Sequence, residues 1–218
     1  MNAGSTELEA RRSLIRHALE MNRSGLNQGS SGNLSLRWGE GMLITPSGIA
    51  YDRLGPEDLV PMALDGICEH ALAPSSEWRM HADIYRARPE AGAVVHAHPV
   101  HCTALAMHGR EIPAVHYMIA AAGGKTIRCA PYHTYGTPEL SAAAVQALQG
   151  RGACLLANHG MVAIGPGLER ALWLALEVET LAHQYLLALQ LGAPTVLSDE
   201  EIERVVVKFR DYGLKQAT

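Results

Sequence analysis

Apolar residues along this chain recur in two rhythms, one of period near 3.6 and one of period two. Leu8, Leu14, Ile15, Ala18, Leu19 and Met21 keep helical spacing. Thr6 and Glu9 open that run as a capping box, and Gly25 ends it. Alternation at Leu34 and Leu36 predicts a strand after the Gly/Ser/Asn segment 25–33. Met42 to Ile44 predicts a second strand, running into the turn Thr45-Pro46-Ser47-Gly48. Pro56-Glu57-Asp58 reads as the start of a short helix. Pro74-Ser75-Ser76-Glu77 reads as the serine cap of another, ending before Pro89. Ala93 to His98 is a buried strand stopped by Pro99, and Cys154 to Ala157 and Met161 to Ile164 are two more. A long helix spans Leu168 to Leu191, with Leu172, Leu176, Leu181 and Leu187 expected in the core. A last helix runs from its cap Ser198 to about Tyr212. Strands and helices interleave, so the fold class is α/β. With no repeat or long linker, residues 1–218 are read as one domain.

Charge and composition exclude several classes. The 218 residues carry 18 basic and 22 acidic side chains, a net charge of −4, with no basic run. That is no footprint for nucleic acid. No window approaches the roughly 18 uninterrupted apolar residues of a membrane span, and the polar start MNAGSTELEARR has no secretory signal region. Four cysteines stand far apart, at 68, 102, 129 and 154, with no CxxC pair. Free thiols and a cytoplasmic location are the expectation. The oddity is histidine: 11 of them, as many as Trp, Tyr and Phe together.

His96 and His98 lie two apart in an otherwise apolar strand. Residues i and i+2 face the same way, roughly 7 Å apart along the strand, and can converge on one cation. A catalytic zinc site takes about three protein ligands, and imidazole suits it. Spacing alone leaves the third ligand open among His101, His116, His133 and His159. His159 is preferred because it sits in Ala157-Asn158-His159-Gly160, between two predicted strands. Three small-polar turns also stand out: Gly29-Ser30-Ser31-Gly32-Asn33, Thr45-Pro46-Ser47-Gly48 and Pro74-Ser75-Ser76-Glu77. Each offers hydroxyls or backbone N–H groups to an anion, although any one alone is more often a plain turn or cap. Together with the HxH strand they suggest a metal site that handles a phosphorylated small molecule.

These motifs sit in longer blocks: GLNQGSSGN (25–33), GMLITPSGI (41–49), PSSEWRMH (74–81), AVVHAHPVHCTA (93–104), IPAVHYMIAAAGG (112–124), CAPYHTYGT (129–137) and NHGMVAIG (158–165). ALWLALEVE (171–179), LSDEEI (197–202) and KFRDYGL (208–214) complete them. Together they resemble the zinc-dependent class II aldolase/adducin family nearly end to end. The resemblance implies a three-layer α/β/α domain with a central, mostly antiparallel sheet. It implies one Zn2+ per subunit on His96, His98, His159 and Glu77, with Glu77 also the catalytic base. Gly32, Asn33, Ser47, Gly48, Ser75 and Ser76 would bind phosphate, and Tyr117 would handle the proton at the aldehyde oxygen. Tyr135 would line the aldehyde pocket, at a position where the family pattern has phenylalanine. Phe209 and Tyr212 would reach an active site from the C-terminal tail, in a homotetramer with sites between subunits. The implied reaction is retro-aldol cleavage of a phosphorylated ketose, with L-fuculose 1-phosphate expected first. The alternatives are another deoxy-ketose 1-phosphate, such as 5-deoxyribulose 1-phosphate, or a sugar-phosphate epimerase or dehydratase outcome. A non-catalytic adducin-like domain should lack the histidine triad or the glutamate, and this chain has all four. No lysine stands where a Schiff base would need one.

Overall fold

Strand β4 (Ala93–Ala97) is the middle strand of a seven-stranded sheet. The others are β1 (Asn33–Trp38), β2 (Gly41–Ile44), β3 (Val60–Ala63), β5 (Cys129–Ala130), β6 (Ala153–Leu156) and β7 (Gly160–Gly165). The structure, a computed structural model, describes residues 6–211, with side chains as far as Phe209. Strand order is β3-β2-β1-β4-β7-β6-β5, and every pairing is antiparallel except β5 with β6. Six α-helices accompany the sheet among the described residues: α1 (Glu7–Arg23), α2 (Trp78–Ala87), α3 (Val100–Met107), α4 (Pro138–Ala147), α5 (Leu168–Gln190) and α6 (Asp199–Asp211).

Alternation along β4 sorts the layers. Ala93, Val95 and Ala97 join one core with Leu14, Ala18 and Met21 of α1 and Ala171, Ala175 and Val178 of α5. Val94 joins a second core with Met80 and Ile84 of α2 and Leu140 and Ala144 of α4. The result is the expected α/β/α sandwich around a mostly antiparallel sheet. His96 continues the Val94 face, so the strand period aims its ring toward α2.

The α1 capping box forms as expected, the Thr6 hydroxyl accepting from Glu9 N and Glu9 accepting from Thr6 N. Elsewhere the structure corrects the reading. Neither serine is the N-cap of α2: Glu77 takes that position, without a side-chain capping bond. Leu187 is 50% exposed and not in the core. Four helices and strands were not anticipated. β3 carries Pro61 within a four-residue strand, tolerable because it lies at the sheet edge. β5 has two residues, and α3 only eight. α4 did have a signal, Thr137-Pro138: the Thr137 hydroxyl accepts from Leu140 N, and Pro138 sits at the first helical position. Among the described residues, no helix is long and apolar enough to cross a membrane.

Candidate active site

Four side chains from three parts of the fold converge on one point. His96 is the penultimate residue of the central strand, and His98 lies one residue beyond its end. Glu77 arrives from the N-terminus of α2. His159 comes from the three-residue connection between β6 and β7. That connection is tight: Asn158 takes a left-handed conformation, φ 53°, which asparagine tolerates better than most residues. Asn158 N also donates to Ala106 O of α3 at 3.0 Å. Gly160 then lets the chains close up, since a Cβ there would strike the Ala97 carbonyl and lie 2.6 Å from the His98 ring.

The ligand-type atoms of these four residues lie within 4.8 Å of one another. His96 Nε2 is 3.0 Å from Glu77 Oε2 and 3.0 Å from His98 Nε2, and His159 Nε2 is 3.4 Å from Glu77 Oε1. A tetrahedral site with bonds of about 2.0–2.1 Å spaces its ligand atoms by about 3.3 Å. The His96 Nδ1–H donates to Met161 O at 2.9 Å, which turns its Nε2 lone pair toward the cluster. Glu77 Oε2 accepts from Asn33 Nδ2 at 3.1 Å, but Oε1 is buried with no hydrogen-bond partner. An orphaned carboxylate oxygen facing three imidazoles fits a divalent metal.

Electrostatics favour the ligating forms. Burial raises the Glu77 carboxyl, but the charge and hydrogen bond of His96, with His159 and Asn33, hold it well below the usual carboxylate range. Burial and the charge of His96 push His98 down to about 3 and His159 to about 4. His96 is lowered by burial and raised further by Glu77, for a net rise. His98 and His159 are therefore neutral at pH 7, as metal ligation requires.

Of the three histidines left open with His159, two have other partners. His101 Nδ1 lies 2.6 Å from Glu179 Oε1 and its ring stacks on His183 at 3.9 Å. His116 caps its own turn by accepting from Met118 N. His133 is half-buried.

The small-polar turns lie together. Ser47 N donates to Ala73 O, and Ser75 N donates to Thr45 O. Thr45 in turn is bonded to Leu34 of β1. Ser47-Gly48 and Ser75-Ser76 thus sit beside the Gly32-Asn33 end of β1. Ser47, Gly48 and Ser76 are exposed. The Ser75 oxygen accepts from Glu77 N at 3.3 Å, which leaves its O–H free to donate. Gly32 is buried, and a Cβ there would come within 2.5 Å of the His96 carbonyl. The Asn33 amide is engaged by Glu77 and His81, with its second Nδ2 hydrogen still available.

Of the expected aromatic residues, two pack on one another. Tyr117 is 51% exposed and stacks on Phe209, centroids 6.4 Å apart. Tyr135 is 66% exposed on a turn whose Gly136 lies against the Ser76 carbonyl. Tyr212 lies outside the described residues. The sequence reading missed His81, a fully buried histidine between Asn33 and Ser35. Its only local signal was a polar residue at i+4 from Glu77, on the buried side of α2.

Residues 12–186 match the family model for the Class II Aldolase and Adducin N-terminal domain, and the chain belongs to that family. The L-fuculose phosphate aldolase of Escherichia coli (strain K12) is 54% identical over 205 residues, 94% of this chain and 95% of that protein. The 5-methylthioribulose-1-phosphate/5-deoxyribulose-1-phosphate aldolase of Rhodospirillum rubrum is 50% identical over 208 residues, 95% of this chain and 94% of that one. A solved structure of an L-fuculose 1-phosphate aldolase superposes with a TM-score of 0.90 at 41% identity, covering 95% of this chain and 98% of its own.

Proposed function

We propose that this protein is a zinc-dependent aldolase that cleaves L-fuculose 1-phosphate to dihydroxyacetone phosphate and L-lactaldehyde. The observation that carries this reading is the convergence of His96, His98, His159 and the unpartnered Oε1 of Glu77 on one buried point. Those four residues would hold one zinc ion per subunit. Bound there, the ion would supply Lewis-acid polarisation of the ketose oxygens. The turns at Gly32-Asn33, Ser47-Gly48 and Ser75-Ser76 hold the phosphate through N–H and hydroxyl donors, beside the N-terminus of α2. That anchor fixes the reacting carbons relative to Glu77.

In cleavage, the C3–C4 bond breaks as the C4 hydroxyl loses its proton. Its electron pair passes into an enediolate of dihydroxyacetone phosphate. Glu77 is the group that returns a proton to that carbon, and in the synthetic direction it removes one. Tyr117 manages the proton at the aldehyde oxygen. Tyr135, Phe209 and Tyr212 shape the aldehyde side.

We read residues 1–218 as one cytoplasmic domain that works as a homotetramer with sites between subunits. The exposed Tyr117 and Tyr135, with the exposed apolar Val100, Met107, Leu187 and Leu191, support an assembly. Free cysteines support the compartment. The similarity to the Rhodospirillum rubrum protein favours 5-deoxyribulose 1-phosphate as the second substrate to examine. A panel of ketose 1-phosphates, assayed for dihydroxyacetone phosphate release, decides between them. The highest kcat/KM is expected for L-fuculose 1-phosphate, and a higher value for 5-deoxyribulose 1-phosphate would overturn that choice.

A further inference from the structure

A chain of buried hydrogen bonds runs from Glu77 into the core between α2 and the sheet. Asn33 Nδ2 donates to Glu77 Oε2 at 3.1 Å. His81 Nε2 stands 2.6 Å from Asn33 Oδ1, and His81 Nδ1 stands 2.7 Å from Ser35 Oγ. Ser35 Oγ is 2.8 Å from the Tyr85 hydroxyl. Arg37 closes the far end. Its guanidinium lies 4.6 Å over the Tyr85 ring and donates to the carbonyls of Tyr85, Arg88 and Ala91. Asn33, Ser35, His81 and Tyr85 are all buried, so each group must find its partner within the protein.

Only one direction of donation is consistent along this chain. The Glu77 carboxylate can only accept, so Asn33 must present its NH₂ there and its carbonyl to His81. His81 must then carry its proton on Nε2, and Nδ1 must accept. Ser35 must donate to Nδ1, and Tyr85 must donate to Ser35. The opposite tautomer would turn the Asn33 carbonyl toward the carboxylate, two buried acceptors face to face. We propose that His81 is a positioning residue: held as the Nε2–H tautomer by Ser35, it locks the Asn33 amide and so fixes Glu77 with Oε2 engaged and Oε1 presented to the metal. Burial, with the charge of His96, pushes His81 down to about 3, which keeps it neutral. The inference rests on the proposed metal site for its binding measurement and on the proposed aldolase for its turnover measurement.

The experiment compares His81→Leu with His81→Gln, since glutamine can still donate to Asn33. A long-range ¹H–¹⁵N spectrum of the metal-loaded wild type, with His81 assigned by its loss in His81→Gln, should show a neutral Nε2–H ring. His81→Leu should weaken metal binding about 10-fold by chelator competition and lower kcat by about 10- to 100-fold, with KM within about 3-fold. His81→Gln should stay within about 5-fold of wild type in both. Ser35→Ala serves if His81→Leu does not fold, with weaker metal binding and a smaller fall in kcat expected. An Nδ1–H or doubly protonated His81, or equal losses in the Leu and Gln variants, would overturn the inference. A wild type that releases no dihydroxyacetone phosphate would overturn the aldolase reading instead. The tautomer and the metal dissociation constant would still judge His81.

Discussion

Glu77 and His96 are held from behind by Asn33 and the Met161 carbonyl and close a cluster with the half-buried His98 and His159, whereas Tyr117 and Tyr135 stand half or more in solvent. The cluster draws on the central strand, a helix N-terminus and a strained hairpin turn, each fixed by its own backbone bonds. Tyr117 and Phe209 lean on one another at the surface, on a short 3₁₀ turn and the last helix. Within one chain, then, the groups that would bind metal are assembled, and those that would face the aldehyde remain open. Metal binding should therefore survive changes in the aromatic group, and turnover should not.

The largest effect should come from breaking the cluster. Replacing His96 and His98 together with alanine should remove bound zinc, about one per chain in the wild type, and lower turnover by at least about 10³-fold. Full zinc retention by metal analysis would refute the ligand assignment. Tyr117→Phe should leave zinc content intact and reduce turnover by about 10²-fold, the scale of one proton-transfer group. Phe209→Ala should cause a milder loss, about 10-fold, again with zinc unchanged.

A pH experiment sharpens the same contrast, because the buried histidines lie on the cluster side. His81 and His98 are pushed down to about 3 and His159 to about 4, from an ordinary value of 6.5. The unfolded chain therefore binds protons that the folded one refuses, and metal-free protein loses stability as pH falls below 6.5. At pH 5.5 the fully buried His81 alone contributes a loss on the order of 1 kcal/mol, which His96, shifted the other way, partly offsets. The urea midpoint of metal-free protein should fall between pH 7.0 and 5.5, and a rise would contradict the burial argument. Tyr135→Phe is the smallest change. It should alter preference among aldehydes by less than about 5-fold, leaving zinc and dihydroxyacetone phosphate binding as they were.

How much of this was legible in the sequence follows the same division. The strand period put His96 and His98 on one face, and the Asn-His-Gly turn favoured His159 over three rivals. Glu77 was not legible from spacing. In the pattern it was an acidic residue in the first turn of a helix, and its role came only through resemblance to a family. The reason is topological: Glu77 meets His96 only in the folded chain, where β1 pairs with β4 and sets Asn33, the donor to Glu77, opposite His96. His81 was hidden for the same cause, with partners 46 and 48 residues away. The aromatic residues had no local pattern at all, since a lone tyrosine in a turn reads the same with or without a substrate near it.

The proton at the reacting carbon gives the most direct view of Glu77. Exchange of the hydroxymethyl proton of dihydroxyacetone phosphate with deuterated water can be followed by NMR in zinc-loaded wild type and Glu77→Gln. Wild type should exchange it, and the variant should be slower by at least about 10³-fold while still binding dihydroxyacetone phosphate. Exchange within a few-fold of wild type in Glu77→Gln would contradict the base role on which the proposed mechanism turns.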